Sequence, residues 1–599
     1  MNISFTKIGR FLFYIFIFLL PLFYISNSAV SIEFNKTIFL LYSLSIIAFF
    51  AALGIIKEGR LILRNKFVSL SILAFLLLAS ISTIFFSLNP LNSFFGENGS
   101  PDSLVSFLIY GGVFFLSLAL IEKKEQIKNI GLSLISSISI LNVGFLGRIL
   151  LGGEVYLPLS SLNILAILNI IGITMLFFLF KEEENPSIKG LFGLAFFILG
   201  GGLLLINFNT AWFILAVASF LIFWTMLVSA NFKKHNFILL LITIVSVVLF
   251  ILNPSLPFEK RENVQTLGFG ESIEIAKNSS ILGSGIASFD ENFLKYNPSM
   301  LQNTVHYESF SVIFTILNDF GILGLILFLT PFVYVIFRGF KRFLLKKQGV
   351  YEKMSFISFF VLFVLLFFYG LDLTIMSLFF LFAALFVITS KKTKEASFRG
   401  MKPGMIFLIT GGLSLILISI IVLNYFYTLN YLSENYYSMA IESHKDDRAK
   451  AIEYLEKSNS FIEKEKTLIG LSQLYLLKAS DLYNESRLLE TKEEDRETKK
   501  EDCEKFMALS EEKAMEATQI SSYDYFTWIN LGNIYNNRRY LRDEELADKA
   551  IEAYVKAAEL APLTKDPYVA LIQVYSELGN VEKREEYVEK IRVIDPNYL

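Results

Sequence analysis

Three groups of ionisable residues stand where an otherwise apolar sequence makes them costly. Arg148 lies in FLGRILLGGEVY, close to the end of a long apolar run. Glu259, Lys260 and Arg261 open a polar segment, and His306 and Glu308 close it; Asp319 follows in the first turns of the next apolar run. An ionisable side chain in or at the edge of a membrane span is by default a candidate for function. Guanidinium and ammonium groups offset phosphate charge, Arg through its planar fork and Lys as a point charge. An imidazole beside carboxylates can take a proton from an attacking hydroxyl. The set therefore suits anion binding next to a general base. Each residue also has a structural reading. Arg148, Lys260 and Arg261 can anchor in lipid headgroups, His306 can be interfacial without chemistry, and Asp319 can be a polar group in helix packing. Lys295 and Tyr296, later in the same polar segment, read as structural.

The elements that position these residues follow from composition. Of 599 residues 54% are hydrophobic, 61 are Phe, and only 18% are charged, against about 25% in soluble proteins. The apolar residues fall in blocks as far as Tyr425, and Glu and Lys dominate beyond it, so two solvents are implied. A formal net charge of −2 with no basic face argues against nucleic-acid binding. The single cysteine, Cys503, excludes an internal disulfide, and His235, His306 and His444 are far apart in the chain, so neither a metal nor another cofactor is expected.

A bilayer core takes about 20 apolar residues per helix. The expected spans are 9–28, 37–56, 67–87, 104–121, 129–149, 162–180, 188–206, 211–230, 236–253, 309–337, 354–370, 373–390 and 404–424, about 13 within a range of 12 to 14. The first is read as an uncleaved span, because it is long and lacks a small-residue cleavage pattern. The stretch 354–389 is split at Gly370-Leu371-Asp372, since one helix of that length overshoots a bilayer. Lys and Arg collect in alternate loops, for example Lys57, Arg60, Arg64 and Lys66, or Lys123, Lys124 and Lys128. By the positive-inside rule these loops and the N-terminus are cytoplasmic. An odd number of spans then puts the C-terminal region outside. The outer loops are short and nearly bare, except for Ser87 to Ser103, rich in turn residues, and the segment 254–308, where chemistry is expected.

Beyond Tyr425 apolar residues recur at helical spacing. Trp528, Leu531, Gly532 and Tyr535, then Ala550, Tyr554, Ala557 and Pro562, match the two helices of a tetratricopeptide repeat. Tyr568, Leu571 and Tyr575 open a further copy that closes at Pro596, and Leu468, Leu471 and Tyr475 open one that resumes at Ser510, Ala514 and Ala517. A weaker copy lies near 435–463. The charged run Glu490 to Glu504 is read as a solvated helix extension or loop. The expected fold is thus all-α: a polytopic membrane helix bundle (1–424), then a soluble α-solenoid of tetratricopeptide-like repeats (425–599), either partner-binding or simply stabilising.

The segment Gly270 to Gly324 resembles the outer-loop signature of the O-antigen ligase and polymerase superfamily. Its turn is Ser280-Ile281-Leu282-Gly283-Ser284-Gly285-Ile286-Ala287-Ser288-Phe289, followed by Tyr296, His306, Asp319, Gly321 and Gly324. The family histidine corresponds to Phe310, eleven residues before Gly321, and His306 stands one helical turn earlier, on the same face if the segment is helical. The family arginine after Phe94-Phe95-Gly96 is missing, as is the Ser-Arg at the eighth span, where Asn207 to Trp212 stand. The resemblance implies metal-independent transfer of a polyprenyl-diphosphate-linked glycan to a glycan, lipid or protein acceptor on the outer face of the plasma membrane. Arg148, Lys260 and Arg261 would hold the diphosphate, His306 would serve the acceptor hydroxyl or a phosphate oxygen, and Glu308 and Asp319 would orient it or substitute for it. A transporter or flippase and a non-catalytic envelope scaffold are the alternatives left open.

Overall fold

The computed structural model describes the chain except for residues 1–3, 26–28, 97–98, 153–157, 229–236, 253–263, 267, 279–280, 290–291, 293–305, 346–347, 391–393, 398–401, 488–492, 542–545 and 596–599. The membrane half comprises α1 (Phe5–Leu19), α2 (Ile32–Glu58), β1 (Arg60–Leu63), α3 (Lys66–Phe85), α4 (Pro90–Phe95), α5 (Leu104–Leu120), α6 (Lys124–Leu150), α7 (Leu162–Glu182), α8 (Pro186–Ile206), α9 (Asn209–Val228) and α10 (Phe237–Leu252). It continues with β2 (Val264–Thr266), α11 (Phe269–Asn278), β3 (His306–Glu308), α12 (Val312–Leu344), α13 (Val350–Leu365), α14 (Leu373–Ser390), β4 (Lys394–Ser397) and α15 (Pro403–Ser443).

Among the described residues nine of these helices are long and apolar enough to cross a membrane: α2, α3, α6, α7, α8, α9, α12, α14 and α15. Helices α5 and α10 are apolar but shorter. Helix ends follow local chemistry. Ser31 and Ser103 cap α2 and α5 through Phe34 N–H (3.1 Å) and Ser106 N–H (3.2 Å), and Gly59 ends α2 at φ 60°. The expectation of a first helix reaching residue 28 is corrected: α1 stops at Leu19, next to Pro21, which lacks the N–H a helix interior needs. The stretch 354–389 is two helices, α13 and α14, with a break at 366–372.

Helix α14 is the centre of the bundle; 94% of its apolar window is buried, so it packs against protein on all sides. Phe379 and Phe380 lie 4.5 and 5.4 Å from the Phe332 ring, and Phe380 stacks on Tyr110 at 5.9 Å. The all-helical expectation needs one amendment. Two short ladders tie loops together: β1 pairs antiparallel with β4, and β2 pairs parallel with β3, Val264 opposite His306 and Thr266 opposite Glu308. The second ladder joins the two ends of the long loop.

The C-terminal region comprises α16 (Arg448–Phe461), α17 (Glu465–Ser486), α18 (Glu493–Ile520), α19 (Tyr525–Leu541), α20 (Leu546–Leu560), α21 (Lys565–Glu577) and α22 (Val581–Ile594), each packed on the next. Leu468, Leu471, Ser510, Ala514, Ala517, Ala550, Ala557 and Leu571 are buried at the crossings. The charged run is helix from Glu493 onward, as the start of α18; Pro596 lies outside the described residues. The boundary expected at 424/425 falls inside α15, whose 41 residues run from the apolar bundle into the stack. That helix is held to α2 by Asn424 Nδ2 donating to Ser45 Oγ (2.7 Å) and Tyr431 OH donating to Asn35 Oδ1 (2.9 Å). Further along the same helix, buried Glu434 accepts from buried Lys464 and pairs with Lys466 at 2.9 Å.

Candidate functional site

The long loop is built around a backbone joint between the turn after α11 and the start of α12. Helix α12 is interrupted at Gly321 (φ 65°, ψ −171°), which frees carbonyls that a continuous helix would bond internally. Two of them accept from the turn: Ser284 N–H bonds Asn318 O at 2.9 Å and Gly285 N–H bonds Asp319 O at 3.1 Å. The glycines are required by this approach. A Cβ on Gly283 (φ 85°) would stand 2.3 Å from Asp319 O, and one on Gly321 would stand 2.1 Å from Ile281 O.

A third wall comes from the segment after α3. A Cβ on Gly285 (φ 99°) would meet Phe86 O at 2.7 Å, and Ser93 Oγ donates to Ile286 O while bonding Ser87. Next to Ser93, Asn92 Nδ2 donates to Glu465 Oε1 at 3.1 Å, linking this wall to the first residue of α17. Side chains lock the joint. Asn318 Nδ2 donates to Asp319 Oδ1 (3.1 Å) and Ser288 Oγ (3.2 Å), and Asn318 Oδ1 accepts from Asn292 Nδ2 (2.8 Å). Asn318 and Asp319 are fully buried. Asp319 is thus a buried polar group inside the joint.

His306 and Glu308 enter this unit through the backbone. Immediately after β3, Phe310 N–H donates to the buried Ser272 Oγ of α11 at 2.9 Å, and Ser309 Oγ bonds Thr315 Oγ1 at 2.7 Å. The helical-turn relation between His306 and Phe310 does not hold. Residues 306–308 are extended strand paired with β2, so the two positions are not on one helical face. Phe310 itself packs on Phe269, ring centroids 5.8 Å apart, and Phe269 on Phe314 at 5.5 Å. That position is apolar packing. The side chains of His306 and Glu308, and Lys260, Arg261, Lys295 and Tyr296 entirely, lie outside the described residues. Arg261 precedes Val264, the partner of His306, by three positions.

Arg148 is elsewhere. It is exposed in the last turn of α6, whose main packing partners are α1, α7 and α8, whereas Asp319 belongs to α12, packed on α3 and α11.

A second polar centre was not expected. Lys36, in the second turn of α2, is 3% exposed and its Nζ donates to Pro158 O at 2.9 Å, with the charges of Asp372 and Glu33 acting on it. Asp372, also buried, caps α14 through Ile375 N–H (2.9 Å) and accepts from Ser160 Oγ (3.3 Å). Close by, Ser161 Oγ bonds Tyr369 OH at 3.3 Å. Tyr369 O accepts from Val312 N–H at 3.0 Å, so this centre is bonded directly to the start of α12. The signal for Lys36 was present in the charge pattern: a lysine at the end of a span whose loop is otherwise bare of cations is an exception to the positive-inside rule.

No protein-family model matches the chain, and no curated protein sequence matches it.

Proposed function

We propose that this chain is a membrane glycosyltransferase of the O-antigen ligase or polymerase type, acting on a polyprenyl-diphosphate-linked glycan. The observation that carries the reading is the joint itself. The two parts of the resembling signature, the Gly283-Ser284-Gly285 turn and the Asn318-to-Gly324 segment, are hydrogen-bonded into one unit, and His306 enters it four residues before Phe310. A motif matched by chance gives no reason for its parts to meet.

In this reading the chain crosses the plasma membrane about thirteen times, with a cytoplasmic N-terminus and its tetratricopeptide repeats outside. Lys260 and Arg261 offset the donor diphosphate, a task suited to groups that stay protonated; Arg148, packed in another part of the bundle, is left out of the site. The acceptor hydroxyl oxygen attacks the anomeric carbon, the bond from that carbon to the phosphate oxygen breaks, the proton passes to His306, and the polyprenyl diphosphate leaves. A single displacement inverts the anomeric centre. Glu308 and Asp319 position the histidine strand and the joint. The repeats face an acceptor or a protein partner, and no metal is required.

The test is transfer of glycan in membranes supplied with the lipid-linked donor. Arg261→Ala and His306→Ala are each expected to slow transfer by about a hundredfold or more. Full activity in both variants overturns the assignment.

A further inference from the structure

At the other end of α3, about 30 Å from the turn, a cation is buried without an acceptor. Arg64 is 5% exposed, and Nε, Nη1 and Nη2 all lack a hydrogen-bond partner. Its neighbour Asn65 is 7% exposed and its Nδ2 is also unpartnered. Asn65 occupies the N-cap position of α3 in a left-handed conformation (φ 30°), yet its side chain makes no capping bond. The backbone there is fixed, because Arg64 O accepts from Ser69 Oγ at 3.1 Å and Asn65 O accepts from Ser69 N–H at 3.2 Å.

The surrounding charges do not balance. Glu122 is the one acid acting on Arg64 among the described residues, and it is shared: Glu122 Oε1 lies 3.5 Å from Arg10 Nη2, while Arg10 Nε donates to Leu120 O at 2.7 Å. Two guanidiniums facing one carboxylate leave one positive charge over among the described residues. Burial pushes the Arg64 guanidinium down to about 10, which still leaves it charged at neutral pH. A buried guanidinium with no hydrogen-bond partner is strongly unfavourable, and an anion would complete it.

We propose that Arg64, Asn65 and the N-terminal turn of α3 form a binding site for a phosphate group, supplied by an anionic phospholipid headgroup or by free phosphate. The guanidinium fork takes two phosphate oxygens, and the Asn65 amide and the first-turn N–H groups, at the positive end of the helix dipole, take a third. The face of α3 that continues from the site is apolar and open: Phe67, Leu70, Leu73 and Leu77 are 45–62% exposed. An acyl chain can lie along that stripe with its phosphate at the N-terminus.

The full chain is purified, and its unfolding temperature is measured in a phosphate-free maltoside detergent, in that detergent with phosphatidylglycerol, and in that detergent with inorganic phosphate. The wild type is expected to gain several degrees with phosphatidylglycerol. Arg64→Met is expected to lose that gain and, in the detergent alone, to be as stable as the wild type or more so, because the unpaired charge is gone. Asn65→Gly keeps the backbone conformation and is expected to show a reduced gain in unfolding temperature with phosphatidylglycerol. A gain with inorganic phosphate as well means that any phosphate serves; a gain with phosphatidylglycerol alone identifies the lipid. If Arg64→Met does not fold, the same comparison is read from Arg64→Lys and Asn65→Gly, expected to show a reduced gain. Equal responses of wild type and variants in all three media overturn the site.

Discussion

The joint of the long loop and the C-terminal helical stack both use glycine to bring chain segments together, but against different neighbours. At the joint, an added Cβ at Gly283 or Gly321 meets backbone carbonyls, and both residues have positive φ. In the stack, Gly532 is an ordinary helical residue on α19, and its Cβ would stand 2.5 Å from the Tyr554 ring of α20. A ring can rotate or slide; a carbonyl fixed in a hydrogen-bonded turn cannot. The joint therefore depends on one backbone geometry, whereas the Gly532 contact depends on side-chain packing that tolerates adjustment.

The strongest challenge to this contrast is Gly321→Ala. Its φ/ψ region is nearly reserved for glycine, and the overlap with Ile281 O adds to that strain, so a loss of about 4 kcal/mol or more is expected. Thermal unfolding of the purified chain measures it, and transfer activity should disappear with the joint. An unfolding temperature equal to wild type would show that α12 can relax, removing the basis for the comparison.

Where the two regions meet, Glu434 tests a third kind of contact. Burial pulls the Lys464 ammonium below its usual range and the Glu434 carboxylate draws it partly back. Glu434→Gln leaves Lys464 and Lys466 facing no counter-charge from it, and breaking a buried pair in this way costs about 3 kcal/mol. Protease release of the C-terminal helices should accelerate in this variant and slow again when Lys464→Met is added. If release is unchanged in the single variant, the junction is held by Tyr427 and Tyr431 packing on Phe34 rather than by charge.

How far the sequence revealed these parts follows from the range of each interaction. Helices were legible because apolar runs and their caps are local, and the break between α13 and α14 could be placed at Gly370-Leu371-Asp372. At the long loop the sequence singled out His306, Glu308 and Asp319, together with the glycines. What those glycines touch was not, because Gly283 meets Asp319 only once α12 is broken at Gly321, a conformation no spacing rule encodes. The strand at His306 was hidden for the same reason, since its partner Val264 lies at the far end of the loop. Lys36 was passed over; the charge pattern marked it as an exception, but its partners Pro158 and Asp372 are brought to it only by tertiary packing.

The mildest prediction concerns the adjustable side of the comparison. Gly532→Ala should cost about 1–2 kcal/mol, because Tyr554 must shift while its OH stays bonded to Asn533 Oδ1 at 2.8 Å. Removing that bond with Tyr554→Phe frees the ring, so Gly532→Ala should cost less when combined with Tyr554→Phe than in the wild type. A denaturant double-mutant cycle measures the difference, and a positive coupling identifies side-chain adjustment as the source of tolerance. Strict additivity would mean that α19 and α20 move apart as rigid bodies, making the stack as backbone-limited as the joint.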